Sequence, residues 1–159
     1  MPRLATDYII IHCSATRPSQ DIGFEEINNW HRARGWIGCG YHFIIRRDGK
    51  IEDGRPTTDV GAHCKGQNHN SIGICMVGGM DEDMSAATDN FTGAQWESLK
   101  VLVEEQHKNY PNAQVKGHYH FNPEKQCPAF DVDEWAKMEL LWVEGDLLPG
   151  DEGYDEPGE

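Results

Sequence analysis

Basic residues and long apolar runs are both scarce in this chain of 159 residues. Lys and Arg number 14 against 27 Asp and Glu, which gives a net charge of −13. An acidic surface argues against nucleic-acid binding, which needs clustered basic side chains, and against docking on an anionic membrane. The longest apolar runs, such as residues 8–11, fall far below the roughly 20 residues that span a bilayer. We therefore expect neither a nucleic-acid partner nor membrane insertion.

The start of the chain also lacks the pattern of a secretory signal. Arg3 is the only basic residue there, and the apolar run that follows ends at His12, short of the usual ~7–15 apolar residues. We therefore expect the protein to begin in the cytoplasm. The five cysteines are an odd number with no export signal beside them, which predicts free thiols rather than a disulfide framework.

Residues 1–143 show neither a repeat nor a linker, and we expect them to form one domain. From Glu144 onward the chain carries seven acidic residues and no Lys or Arg. This composition cannot bury enough apolar surface to offset the entropy of ordering. Residues 144–159 are therefore predicted to be a disordered acidic tail.

Apolar periodicity predicts strands that alternate with helices. The strands are expected at 8–13, 41–46, 50–52, 71–77 and 114–117, and the helices at 24–34, 93–110 and from 132 onward. Thr92 and Gln95 have the spacing of a capping box at the start of the second helix. The last helix should turn Val132, Trp135, Met138 and Trp142 inward, and Trp30 should lie in the core. The order predicts an α/β fold with a mixed central sheet flanked by helices.

Histidine and cysteine side chains fall at the ends of these elements. His12 ends the first strand, His118 and His120 follow the last one, and Cys127 precedes the final helix. Two imidazoles and a thiolate could form a three-ligand zinc site with an open fourth position. No H-E-x-x-H or C-x-x-C motif supports this, and two other interpretations stay open. His12 and Cys127 could be buried structural residues, or Cys127 could be a nucleophile with a histidine as its base.

Five short motifs carry a resemblance to a known family. They are His-Cys-Ser-Ala-Thr at 12–16, Gly-Tyr-His-Phe-Ile-Ile at 40–45, Arg-Asp-Gly at 47–49, Asn-His-Asn-Ser-Ile-Gly at 68–73 and Lys-Gln-Cys-Pro at 125–128. Together, and in this order, they resemble the zinc N-acetylmuramoyl-L-alanine amidases of type 2, a superfamily that includes the peptidoglycan recognition proteins. The sequence is most similar to the small phage lysozymes, some of which also bind and inhibit the phage RNA polymerase.

The resemblance implies a role for each matching residue. His12, His118 and Cys127 would bind one Zn²⁺ per chain, and Tyr41 and Lys125 would be the catalytic residues. His120 stands where many relatives have Asp, so it competes with His118 as a ligand. The loop at 61–70 would border the substrate groove, with His63, His69 and Asn70 as the substrate-binding residues.

The resemblance also implies an activity. A zinc-activated water would hydrolyse the amide between N-acetylmuramic acid and L-alanine in peptidoglycan. The protein would be a monomeric endolysin that is made in the cytoplasm of the host bacterium and reaches the periplasmic cell wall after release by a holin. Two alternatives remain, namely a non-catalytic peptidoglycan-binding module and a regulator that binds a phage RNA polymerase, beside amidase activity or in place of it.

Overall fold

The computed structural model describes residues 1–143, and the predicted acidic tail at 144–159 lies outside the described residues. Five strands are present, β1 (Tyr8–Cys13), β2 (Phe43–Ile45), β3 (Ile51–Asp53), β4 (Ser71–Met76) and β5 (Gln114–Gly117). Three α-helices accompany them, α1 (Phe24–Ala33), α2 (Gly93–Asn109) and α3 (Val132–Glu139). Short 3-10 turns cover Asn68–Asn70 and His118–His120. Within the described residues, none of the helices is long and apolar enough to cross a membrane.

The five strands form one sheet in the order β3-β2-β4-β1-β5. β4 lies at its centre and runs parallel to both β2 and β1, and β1 is also parallel to β5 at the edge. Only the short β3 is antiparallel, because the turn around Gly49 returns the chain directly beside β2. The predicted mixed α/β sheet in a single domain is therefore confirmed.

The two faces of the sheet are covered by different helices. On one face, β-strand isoleucines pack against Leu99 and Val103 of α2 and against Val132 and Ala136 of α3. On the other face a smaller cluster contains Ile27 of α1. Because β1 is buried on both faces, its run of isoleucines is fully inaccessible, which explains why the strand does not alternate in polarity.

The capping box predicted for α2 is present. The Thr92 hydroxyl accepts a hydrogen bond from the backbone N–H of Gln95 (3.1 Å), and the Gln95 side-chain oxygen accepts one from the N–H of Thr92 (3.0 Å). The helix ends at Asn109, with Tyr110 as its C-cap, because the following Pro111 disfavours helical backbone at the residue before it.

Two predicted core residues are exposed instead. Met138 is 73% exposed, whereas Trp135 and Trp142 pack against the core as predicted, although Trp142 follows the end of α3. The buried stripe of this segment instead runs through Val132, Ala136 and Leu140 at a spacing of four, which turns Met138 to the opposite side. Trp30 is 42% exposed, because α1 buries Ile27 and His31 rather than the indole between them.

Candidate metal centre and substrate groove

Two histidines and a cysteine converge at one edge of the sheet. His12 lies near the carboxyl end of β1, and His118 directly follows β5, the parallel neighbour of β1. Parallel strands end at the same edge, so the two rings meet with their centroids 4.5 Å apart. Cys127 joins them from the loop before α3, and its Sγ accepts a hydrogen bond from the backbone N–H of Cys13 (3.1 Å).

The donor set fits a zinc ion. One ligand atom from each of His12, His118 and Cys127 lies within 4.8 Å of the other two. Zinc bonds of about 2.0–2.3 Å in a tetrahedral arrangement need ligand atoms that are this close. Imidazole and thiolate are donors that zinc prefers, and three protein ligands leave its fourth position for water or substrate.

Both histidines are neutral at pH 7, as metal ligands must be. Burial, together with the neighbouring rings of His63 and His118, lowers the pKa of His12 well below its usual value. Burial and the charge of Lys125 also lower the pKa of His118. Each ring therefore keeps a nitrogen lone pair that can bind a cation.

A chain of hydrogen bonds fixes which nitrogen of His12 is available. The Ser71 hydroxyl donates its only hydrogen to the carbonyl of Gln67 (2.6 Å), so its oxygen accepts from Nε2–H of His63 (3.2 Å). Nδ1 of His63 is then the acceptor for Nε2–H of His12, at 2.9 Å. His12 is left with its lone pair on Nδ1, the nitrogen it would offer to a metal.

His120 is held away from this cluster. Its Nδ1 accepts a hydrogen bond from the backbone N–H of Gly117 (2.9 Å), and its Nε2 lies 3.0 Å from a carboxylate oxygen of Asp133. Of the two histidines that competed as ligands in the sequence, the structure thus brings His118 to His12 and Cys127.

The surroundings of Cys127 are not those of an activated nucleophile. Hydrogen bonding with Cys13 and burial hold the pKa of the Cys127 thiol well above its ordinary value. A catalytic cysteine needs the opposite shift, because the thiolate is the reactive species. Here a thiolate would need a cation beside it, which suits a metal ligand.

The cluster forms the floor of an open groove of about 700 Å³. Tyr41 and Lys125 line it, as the resemblance implied. The Tyr41 ring lies 5.1 Å from that of His12, and burial raises the pKa of its hydroxyl well above 10, so the phenol remains a proton donor at neutral pH. Lys125 is exposed and close enough to His118 for its charge to affect that ring.

The three residues predicted to bind substrate have different surroundings. His63 lines the groove but is only 9% exposed, and its two ring nitrogens are occupied by His12 and Ser71. His69 and Asn70 are not among the residues that line the groove, and the Asn70 amide donates to Asp7 (3.1 Å). The substrate-binding role of His63, His69 and Asn70 stays a prediction.

Two residues of the groove were missed in the sequence. The Asn68 side-chain oxygen accepts hydrogen bonds from the backbone N–H groups of His63 and Cys64 (2.8 and 2.9 Å), which shapes the loop beneath the groove. His31 projects from α1 into the groove, where it accepts from the N–H of Gly40. Asn68 lies in an Asn- and Gly-rich loop, which signals a turn, whereas His31 gave no signal beyond its place on a helix.

Known proteins resemble this chain along most of its length. The sequence model of N-acetylmuramoyl-L-alanine amidase matches residues 2–130. The endolysin of Escherichia phage T7 is 46% identical over 151 residues, which cover 95% of each chain. The endolysin of Klebsiella phage KP32 is 42% identical with the same coverage. Among solved structures, the N-acetylmuramoyl-L-alanine amidase LysC from Clostridium intestinale URNW superposes with a TM-score of 0.73 at 30% identity, over 85% of each chain.

Proposed function

The chain belongs to the N-acetylmuramoyl-L-alanine amidase family, and from this premise we propose that His12, His118 and Cys127 hold one zinc ion that serves the hydrolysis of peptidoglycan. The protein is an amidase of the phage endolysin type. The observation that carries the zinc proposal is the convergence of three zinc-type donors within 4.8 Å on the floor of an open groove.

The reaction replaces a carbon–nitrogen bond by a carbon–oxygen bond. A water molecule adds to the amide carbonyl between N-acetylmuramic acid and L-alanine, the C–N bond breaks, and the released amine of L-alanine takes up a proton. When bound, zinc lowers the pKa of a water ligand toward about 7 and polarises a carbonyl oxygen. Proton transfer and stabilisation of the developing negative charge depend on side chains of the groove.

Tyr41 and Lys125 have properties that suit these tasks. The Tyr41 phenol is protonated, because burial raises its pKa, so it can donate a hydrogen bond to the reacting carbonyl or pass a proton to the leaving amine. The Lys125 ammonium, beside His118, can stabilise negative charge that develops on the carbonyl oxygen. His63 and Ser71 act indirectly, because their hydrogen bonds leave Nδ1 of His12 available to bind the metal.

The alternative of a thiol nucleophile makes an opposite prediction about metal. A zinc amidase loses activity on treatment with a chelator and regains it when zinc is added, whereas a thiol hydrolase is insensitive to chelator. Purified peptidoglycan would serve as substrate, and mass analysis of the fragments identifies the bond that is cut. Cys127→Ser should abolish both zinc binding and turnover. Full activity of this variant would contradict the assignment of the metal site.

Three further expectations stay predictions. The resemblance implies binding to a phage RNA polymerase, which a pull-down with the cognate polymerase tests, and the absence of binding would remove it. It also implies a monomer, which sedimentation measures. Synthesis in the host cytoplasm and holin-dependent access to the wall are tested by lysis assays with and without a co-expressed holin. A peptidoglycan-binding module without catalysis is the alternative if folded, zinc-loaded protein leaves peptidoglycan intact.

A further inference from the structure

A second cleft lies between α2 and α3, and its floor is aromatic. It has a volume of about 550 Å³ and is lined by the half-buried rings of Trp96, Phe130 and Trp135. These rings contact one another edge to face, with centroids 4.7 Å apart for Trp96 and Phe130 and 6.3 Å apart for Phe130 and Trp135. Each ring also packs against the hydrophobic core. This α2–α3 cleft therefore offers a rigid apolar surface on which a flat ligand face can stack.

Acidic side chains surround this floor. Five carboxylates line the α2–α3 cleft against a single lysine, Lys100, whose ammonium lies 3.9 Å from a carboxylate oxygen of Glu139. The carboxylates belong to Asp89, Glu97, Asp131, Glu134 and Glu139. Ionised carboxylates only accept hydrogen bonds, and together they repel anions. A ligand that suits both the rings and the carboxylates has apolar ring faces, hydroxyl or amide donors and no negative charge, which is the chemistry of an N-acetylated sugar.

A further cleft joins the α2–α3 cleft to the metal site. This connecting cleft has a volume of about 610 Å³ and shares Lys125 and Cys127 with the groove that contains the metal ligands. It also borders Ala129 and residues 86–87. The same two segments continue directly into the α2–α3 cleft, at Phe130 and at residue 89. One surface depression therefore leads from the metal site to the aromatic floor.

We propose that the α2–α3 cleft is a remote subsite for the glycan strand of peptidoglycan, in which an N-acetylated sugar stacks on the aromatic floor and donates hydrogen bonds to the acidic walls. The inference rests on the proposed function, because it takes the scissile amide to lie at the metal site. That amide joins the glycan strand to the peptide stem, so the substrate leaves the metal site as two branches. A peptide ends in a carboxylate, which the acidic walls repel, whereas the sugars of the strand present hydroxyl donors. The glycan is therefore the branch that fits this cleft.

The binding test uses chitotetraose, a linear tetramer of N-acetylglucosamine that carries no peptide. Titration of the zinc-loaded full chain should shift the backbone amide NMR signals of residues 96–100 and 130–139. Trp135→Ala should weaken binding about 3–10-fold, as for the loss of one aromatic contact. Glu97→Ala should also weaken binding, and it leaves the floor intact because Glu97 is exposed. Trp30→Ala is the matched control, since it removes an exposed indole that lines none of the three clefts.

An activity test separates this role from a general structural one. Trp135→Ala and Glu97→Ala should each lower kcat/KM several-fold on intact peptidoglycan, because the long strand reaches the remote subsite. Both variants should cleave a single muramyl peptide, which lacks the strand, like the wild type. Trp135→Phe keeps an aromatic ring and should retain most of the activity on intact peptidoglycan. An equal loss on both substrates would indicate a folding defect and overturn the role of the variant residue in glycan binding.

The outcomes distinguish the subsite from the proposed function. Chitotetraose affinities that are equal in the wild type, Trp135→Ala and Glu97→Ala would overturn the subsite, and cleavage of the single muramyl peptide would still support the amidase. A lysine-rich helical peptide that shifts the same NMR signals while chitotetraose does not would also overturn it and indicate a basic protein partner. Binding of chitotetraose at the cleft without cleavage of either substrate would contradict the proposed function and support the subsite.

Discussion

Replacing His63 by leucine should weaken zinc binding about 10–100-fold, the usual effect of removing the outer partner of a metal-binding histidine. Leucine fills much of the same space but accepts no hydrogen bond, so Nε2–H of His12 loses its partner. His12 is only 1% exposed, and water cannot easily take that place. An unpaired buried donor costs about 1–3 kcal/mol, which corresponds to roughly 5–150-fold in affinity.

The other tautomer of His12 offers no escape from this cost. It would move the proton from Nε2 to Nδ1 and so avoid the unpaired donor. It would also remove the lone pair from Nδ1, the nitrogen that is left for a metal because Nε2 contacts His63. The protein therefore loses zinc affinity with either tautomer. The Gln67 carbonyl thus controls the metal ligand His12 through three successive hydrogen bonds.

The assay is a zinc titration of metal-free protein in competition with a chromogenic chelator. Ser71→Ala should give a smaller loss, of several fold, because His63 keeps its contact with His12 but loses the acceptor that sets its own tautomer. His63→Gln, whose amide can accept from His12 and donate to Ser71, should recover part of the affinity. His69→Leu makes the same substitution at an exposed histidine of the same loop and should bind zinc like the wild type.

Two results would refute this reasoning. One is a zinc affinity of His63→Leu within twofold of the wild type. The other is a loss of stability in the metal-free form that accounts for the whole effect, which thermal unfolding without zinc would detect. Because Ser71 and His63 act as one chain, the losses in the double variant should also be less than additive. Full additivity would indicate independent structural roles.

The remaining predictions concern catalysis, stability and the tail. Tyr41→Phe should lower kcat about 100-fold or more with zinc affinity unchanged, as for loss of a proton donor; a change within twofold would remove Tyr41 from the reaction. Gln95→Ala should cost about 3 kcal/mol in denaturant unfolding, because its inaccessible amide donates to the carbonyls of Ile45 and Val77; a loss below 1 kcal/mol would contradict this. Removal of residues 146–159 should leave activity within about twofold, and a larger loss in the peptidoglycan assay would give the tail a role.

Several helices and strands could be predicted because their composition and their ends depend on nearby residues. The isoleucines of β1, the Thr92–Gln95 capping box and the stop before Pro111 each depend on neighbouring residues alone. The inward face of α3 could be predicted only in part. Val132 is buried and Trp135 packs against the core as predicted, but Met138 is exposed. Met138 is as apolar as Ala136, and only the position of α3 on the sheet decides that Ala136 is the buried one.

The metal centre could be predicted from the family resemblance but not from spacing. His12 and Cys127 are far apart in the chain. The parallel pairing of β1 with β5 places His118 beside His12. A separate loop brings Cys127 to the backbone of Cys13, next to His12. Nothing in the local sequence encodes that pairing. The residue pattern alone therefore left the zinc, structural and nucleophile interpretations of Cys127 open.

A sequence signal for the role of His63 lay in Gly73. Glycine weakens a buried strand, so its presence in the middle of β4 indicates that another group approaches the backbone closely. That group is the His63 ring, since a Cβ at position 73 would fall 2.5 Å from its Cγ. Gly73 pairs with Ile10, two residues before His12 on the same face of β1, so the space it leaves lies beside the metal ligand. The glycine therefore allows His63 to lie flat on the sheet and bridge Ser71 to His12, a role that the composition of the 61–70 loop does not indicate.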